Sequence, residues 1–331
     1  MDQTKLEQVT GILAESRKEL AQRIIGQEAM VNGLLMSLIA GGHALLEGVP
    51  GLAKTLAVKS LAELTGLSFK RIQFTPDLLP ADVTGTLIWD QKSLSFSVRR
   101  GPLFANLILA DEINRAPAKV QSALLEAMEE KQVTIGEESL PLPDPFFVLA
   151  TQNPIEHEGT YPLPEAELDR FLLKLIVPYP SREEEQEIVR LFHRSSGVND
   201  SSQKLKPLLG KNVLSRIREA SDEVRLDDAL VNYIVALVSA SRPQEKAKRG
   251  SRDDFYRYLS FGASPRASIA LHRCSRIQAL FSGRDYVIPE DIKAVAPAVL
   301  RHRLVLSYEA EADNVDADAL INRILALVPL P

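Results

Sequence analysis

The chain has 331 residues, 45% of them hydrophobic and 25% charged; this ordinary globular usage excludes a disordered polyelectrolyte, and the length favours two domains of roughly 150 residues each. The net charge of −5 is uneven: residues 1–200 carry 19 Lys and Arg against 28 Asp and Glu, and residues 201–331 carry 20 against 16. An acidic main body disfavours generic binding to a phosphate backbone. One cysteine, Cys274, excludes a disulfide framework and a cysteine zinc site, and the five histidines, with no i,i+4 pair, suggest neither metal ligation nor a triad.

The start, MDQTKLEQVT, lacks a basic region ahead of an apolar run, and no apolar stretch is long enough for a membrane span, so a cytoplasmic chain is expected. Leu6, Val9, Ile12 and Leu13 recur at helical spacing, and after Ile24-Ile25-Gly26 a second periodic run covers Ala29 to Ala40. His43 to Glu47 is a short strand, a Gly-rich turn follows, and Lys54 to Leu64 is a helix. Lys70 to Phe74, Leu107 to Asp111, Phe147 to Thr151 and Leu172 to Val177 read as further strands buried on both faces, hence a mainly parallel sheet covered by helices. Two hairpins interrupt it: Thr86 to Trp89 with Ser95 to Val98, and Val133 to Ile135 with Leu140 to Leu142. After Pro180 the texture becomes helical: Arg182 to His193, a polar linker, then Val213 to Glu223, Asp228 to Ser241, Pro265 to Phe281, Pro289 to Leu300 and Ala317 to Leu327. This divides the chain into an α/β core over 1–180, a connecting helix and linker over 181–207, and an all-helical domain over 208–331. The basic stretch Arg242 to Arg252 reads as a polar surface loop.

Gly48-Val49-Pro50-Gly51-Leu52-Ala53-Lys54-Thr55-Leu56 follows a strand and opens a helix, the context a P-loop requires. Ala53 stands where that pattern has glycine, so the spacing survives with one added methyl group. Backbone N–H groups would wrap a β-phosphate, Lys54 would neutralise β/γ oxygens, and Thr55 would give its hydroxyl to Mg²⁺. Leu107 to Asp111 ends a strand on two carboxylates, Asp111 and Glu112. Asp111 would hold Mg²⁺ through water, and Glu112 would polarise the attacking water in ATP hydrolysis.

With Gly48 to Thr55, Asp111-Glu112, Ala150 to Pro154, Glu165 to Phe171 and Gly262 to Ala267 in order, residues 5–310 resemble the MoxR family of AAA+ ATPases. GVPGLAKT looks like this family's own form of the loop. The resemblance implies a five-stranded αβα AAA+ core with inserted hairpins and a helical lid. It implies that Asn153 is the sensor 1 residue, although Asn before Pro154 is also a common turn. Arg170 resembles an arginine finger acting on a neighbouring subunit's nucleotide, and Arg266 a sensor 2 arginine acting in cis or in trans. Arg115 either faces a subunit boundary or makes a structural ion pair. Ile24, Ile25 and Gly26 would border the adenine.

An arginine supplied in trans means a shared site and a ring, a hexamer by resemblance. The family's proteins are chaperone-like and are often paired with von Willebrand factor A-domain proteins, so remodelling or maturation of a client complex is the leading expectation. Two alternatives stand beside it: a nucleic-acid motor, against which the acidic core counts, and a slow nucleotide-controlled scaffold of the chelatase type. The hairpin carrying Trp89 is either a moving part facing a pore or simple edge packing.

Overall fold

A computed structural model of the chain describes residues 1–48, 54–92, 94–153, 159–195, 205–243 and 255–331. Val49, Pro50, Gly51, Leu52 and Ala53 of the expected phosphate loop, Ser93, Pro154, the linker from 196 and the basic stretch from 244 lie outside the described residues. The chain divides into two compact units, one made of Ile12–Leu163 and Leu175–Ser215, the other of Met1–Gly11, Pro164–Lys174 and Arg216–Pro331.

The elements run α1 (Gln3–Ala21), α2 (Glu28–Ala40), β1 (Ala44–Glu47), α3 (Lys54–Thr65), β2 (Phe69–Gln73), α4 (Pro80–Thr84), β3 (Gly85–Asp90) and β4 (Ser95–Arg100). They continue through β5 (Leu107–Asp111), α5 (Ala118–Glu130), β6 (Gln132–Ile135), β7 (Glu138–Pro141), β8 (Phe147–Gln152), α6 (Glu165–Leu168) and β9 (Leu173–Ile176). Five strands form a parallel sheet in the order β2-β5-β8-β1-β9. The central strands β1, β5 and β8 are buried almost throughout, from Ala44, Leu45 and Leu46 to Leu107–Ala110 and Phe147–Ala150, as strands covered on both faces should be. β2 departs from the expected continuous burial. It is the sheet edge, only Ile72 is buried, and Arg71 and Gln73 are left exposed.

Both hairpins form, β3 with β4 and β6 with β7, each antiparallel. On the first, Trp89 and Phe96 meet edge to face at 5.0 Å, yet they remain 49% and 65% exposed. Within the same unit His43 is buried; its Nδ1 accepts the Val148 N–H at 3.0 Å and its Nε2 faces the Met128 carbonyl at 3.2 Å. This fixes the neutral tautomer with the proton on Nε2, and burial pushes its pKa down to about 4.

Past α7 (Arg182–Ser195) come α8 (Lys211–Glu223), α9 (Asp228–Ala240), β10 (Leu259–Phe261), α10 (Pro265–Phe281), α11 (Pro289–Leu300), β11 (Val305–Leu306), α12 (Tyr308–Ala312) and α13 (Ala317–Leu327). The second unit is thus helical, with a small antiparallel ribbon of β10 and β11 added to the expected helices. Its helix starts follow sequence chemistry. Ser264 caps α10 ahead of Pro265, and Asp316 caps α13 by accepting the Ala319 N–H at 2.7 Å. In α11, Asp291 is buried, accepts the Ile288 N–H at 2.9 Å, and takes two bonds from Arg284 at 2.6 and 2.8 Å. Cys274 is buried in α10, and burial pushes its thiol up to about 12, which makes it a packing residue. Among the described residues no helix is long and apolar enough to cross a membrane.

Candidate nucleotide site

The carboxyl ends of β5 and β8 and the start of α3 surround a cavity of about 390 Å3, lined by Lys54, Thr55, Leu56, Arg71, Gln73, Asp111, Glu112, Thr151, Gln152 and Asn153. A parallel sheet forces this arrangement, because every strand delivers its last residues to the same edge. Gly48 continues β1 into the loop. A Cβ there would stand 2.8 Å from the Val177 carbonyl oxygen, so only glycine allows this approach.

Lys54 is the first residue of α3, and its ammonium donates to the main-chain carbonyls of Gly48 and, at 3.5 Å, Gln152. Burial lowers its pKa, while Asp111, Glu112 and Glu47 pull the other way. The cation is therefore anchored on main-chain carbonyls, while three carboxylates favour its charged form through space. Asp111 ends β5 with both oxygens engaged: Oδ1 accepts the Thr151 hydroxyl at 2.7 Å, and Oδ2 accepts Arg71 Nε at 3.1 Å and its terminal nitrogen at 2.6 Å.

Glu112 sits in the left-handed region at φ 57 and ψ 51, a conformation that costs a non-glycine residue roughly 1–2 kcal/mol. Thr151 helps to hold it there by accepting the Glu112 N–H at 2.9 Å. The turn directs the Glu112 carboxylate into the same cavity as Asp111, where Gln73 donates to it at 2.8 Å and Arg115 at 3.2 Å. Arg115, left open between two roles, makes an ion pair with Glu112.

Asn153 follows β8, is only 7% exposed, and lines the cavity. Thr55 and Leu56 line it too. Ile24, Ile25 and Gly26 do not. Ile24 is packed in the core, and Gly26 has φ 73, where a Cβ would also strike the Glu184 carboxyl group. Arg170 and Arg266 belong to the other compact unit. Arg71 and Gln73 belong to no motif, and their contacts depend on the pairing of β2 with β5, Gln73 opposite Asp111. The alternating polar residues of an edge strand were the only available signal.

The donors present suit a divalent cation of the magnesium type, since a hydroxyl and carboxylates share a pocket with no thiolate or imidazole among the described residues that line it. A cation-lined cavity at the carboxyl ends of parallel strands, with paired acids opposite a helix-starting lysine, defines a nucleotide-binding ATPase of the AAA type. Residues 43–173 match the ATPase family associated with various cellular activities (AAA), and residues 256–324 match the AAA lid domain. The chain is 51% identical to Chaperone MoxR1 of Mycobacterium tuberculosis over 95% of its own length and 81% of that protein's. It is 29% identical to Protein MoxR of Methylorubrum extorquens over 96% and 95% of the two chains. A crystal structure of a candidate ATPase from Cytophaga hutchinsonii superposes with a TM-score of 0.90 at 48% identity, covering 99% of this chain and 97% of the other. The chain belongs to the MoxR family of AAA+ ATPases. It is an ATP hydrolase.

Proposed function

We propose that the chain hydrolyses Mg-ATP in the Lys54–Asp111–Glu112 cavity and spends that cycle on chaperone-like remodelling of a client protein complex. The observation that carries the reading is the convergence of Lys54, Thr55, Asp111, Glu112 and Asn153 on one cavity. Lys54 would neutralise phosphate oxygens, aided by the peptide dipoles at the start of α3. Thr55 and Asp111 would hold Mg²⁺, which when bound supplies charge neutralisation at the phosphates. Glu112 would accept the proton of the attacking water as the bond from the γ-phosphorus to its bridging oxygen breaks, and Asn153 would orient that water. Arg170 would reach a nucleotide held by a neighbouring copy in a ring, a hexamer by family likeness, and Arg266 would act on a nucleotide in cis or in trans.

The chaperone-like part draws support from the name of the Mycobacterium tuberculosis relative and from the exposed apolar tip at Trp89, Leu94 and Phe96, an unusual cost for a surface without a partner. A von Willebrand factor A-domain protein or another cytoplasmic complex would be the client. The experiment is Arg170→Ala, assayed at concentrations where the parent is assembled. A loss of roughly 1,000-fold in turnover is expected of a trans-acting arginine; full activity in the assembled variant would remove the shared-site reading.

A further inference from the structure

The turn that carries Arg170 is held by a buried guanidinium 133 residues further along the chain. Arg303 has a side chain only 3% exposed, and all five of its N–H directions are used. Nε donates to Asp169 Oδ1 at 2.7 Å; one terminal nitrogen donates to the carbonyls of Leu172 at 3.1 Å and Val299; the other donates to those of Phe171 at 2.6 Å and Asp169 at 3.3 Å. Four of these five bonds end on residues 169–172. The second oxygen of Asp169 accepts the Ser264 hydroxyl at 2.8 Å, and that same oxygen of Ser264 accepts the Arg266 N–H at 3.1 Å. His302, next to Arg303, adds a contact at 2.9 Å to the Phe171 carbonyl.

Burying a charged group is unfavourable unless its partners are well placed. A short turn next to a four-residue helix could be tied down by apolar packing alone. Spending a guanidinium on its carbonyls fixes the backbone direction as well as its position, because each carbonyl must face its own N–H. The residue whose backbone is so fixed on both sides is Arg170, flanked by Asp169 and Phe171.

We propose that Arg303 is a positioning residue for Arg170: its bonds to residues 169–172 set the angle at which the Arg170 side chain is presented to a neighbouring copy's nucleotide. The inference rests on the reading of Arg170 as a group acting in trans. Displacing a catalytic side chain by about 1 Å costs on the order of 100-fold in rate, so a clamp on the turn is felt in turnover before it is felt in nucleotide binding.

The test uses mixed assemblies of full-length chains. Arg170→Ala subunits keep an intact cavity without the arginine, and Glu112→Gln subunits keep the arginine without hydrolysis, so mixing them restores turnover where an Arg170→Ala cavity faces an intact Arg170. Arg303→Lys is then placed on one partner or the other. On the Glu112→Gln partner it should lower the restored rate by about tenfold or more, and on the Arg170→Ala partner by less than about twofold. Equal losses in both positions, or no loss in either, overturn the proposal, since a merely structural role has no reason to be asymmetric. If the parental mixture restores nothing, the trans reading of Arg170 fails first and this inference falls with it. Asp169→Asn, which keeps the side-chain shape, is run through the same comparison should Arg303→Lys fail to give a cooperative unfolding transition.

Discussion

Arg71 on β2 lays its guanidinium against Asp111 on β5, with Nε and a terminal nitrogen 3.1 and 2.6 Å from the same carboxylate oxygen. The carboxylate proposed to hold Mg²⁺ is therefore already paired with a fixed cation from the neighbouring strand. Arg71 is about half exposed, which limits such a pair to roughly 0.5–1 kcal/mol.

Because the pair competes with a divalent cation for Asp111, Arg71→Ala should lower the Mg²⁺ concentration giving half-maximal ATPase rate by about two- to fivefold, the pair's free energy read as a ratio. Titrating Mg²⁺ at fixed saturating ATP reads this directly. A rise in that concentration would mean that Arg71 supports the cation site rather than opposing it.

Thr151 joins the two acids, donating to Asp111 at 2.7 Å and accepting the Glu112 N–H at 2.9 Å. Thr151→Val preserves shape and removes both bonds, so it should cost about 1–3 kcal/mol in denaturant unfolding, the usual penalty for a buried polar group left unpaired. It should also lower turnover, because Glu112 is no longer held in its left-handed turn. Thr151→Ser should restore most of both.

The parts legible in the sequence were those written in local chemistry. The strand before the phosphate loop and the helix that opens at Lys54, the strand ending on Asp111, and the helices Pro265 to Phe281, Pro289 to Leu300 and Ala317 to Leu327 all follow from periodicity and caps. The β10–β11 ribbon did not, because strands of three and two residues carry no period. Neither did the helix Ala118 to Glu130, which was absent from the expected elements. Arg303 reads in the sequence as one more base among Arg301, His302 and Arg303, and only a contact across 134 positions turns it into a buried clamp on Asp169. The role of Glu112 was expected from its place after a strand; its held carboxylate, bonded to Gln73 and Arg115, depends on strand register and a positive φ that no pattern announces.

Acid should weaken the fold through its buried histidines. His43 binds a proton at pH 6.5 when unfolded but only near about 4 when folded, so the unfolded state holds more protons in between. Its contribution to stability is complete above pH 6.5 and declines as the pH falls toward 4, by about 2 kcal/mol between pH 6.5 and 5. His302, which burial drives well below its ordinary value, acts in the same direction. Urea midpoints at pH 7 and pH 5 measure the loss, and His43→Gln should flatten the dependence.

The exposed pair at the tip of the first hairpin offers a separable test of client contact. Trp89→Ala with Phe96→Ala removes an edge-to-face contact that contributes about 0.5–1.5 kcal/mol, so the fold should survive. Binding of a reduced, carboxymethylated unfolded polypeptide, followed by fluorescence anisotropy in the presence of ATP, should weaken by about tenfold or more if these rings are the contact, since two aromatic anchors leave the interface. Unchanged binding would return the hairpin to edge packing.

The most direct measurement is the hydrolysis rate of Glu112→Gln at saturating Mg-ATP, with nucleotide binding measured in the same preparation. The geometry around Glu112 predicts binding close to the parent's and a rate at least about 100-fold lower, the size of a general-base contribution. Hydrolysis at the parental rate would contradict the assignment of this cavity as the place where water is activated.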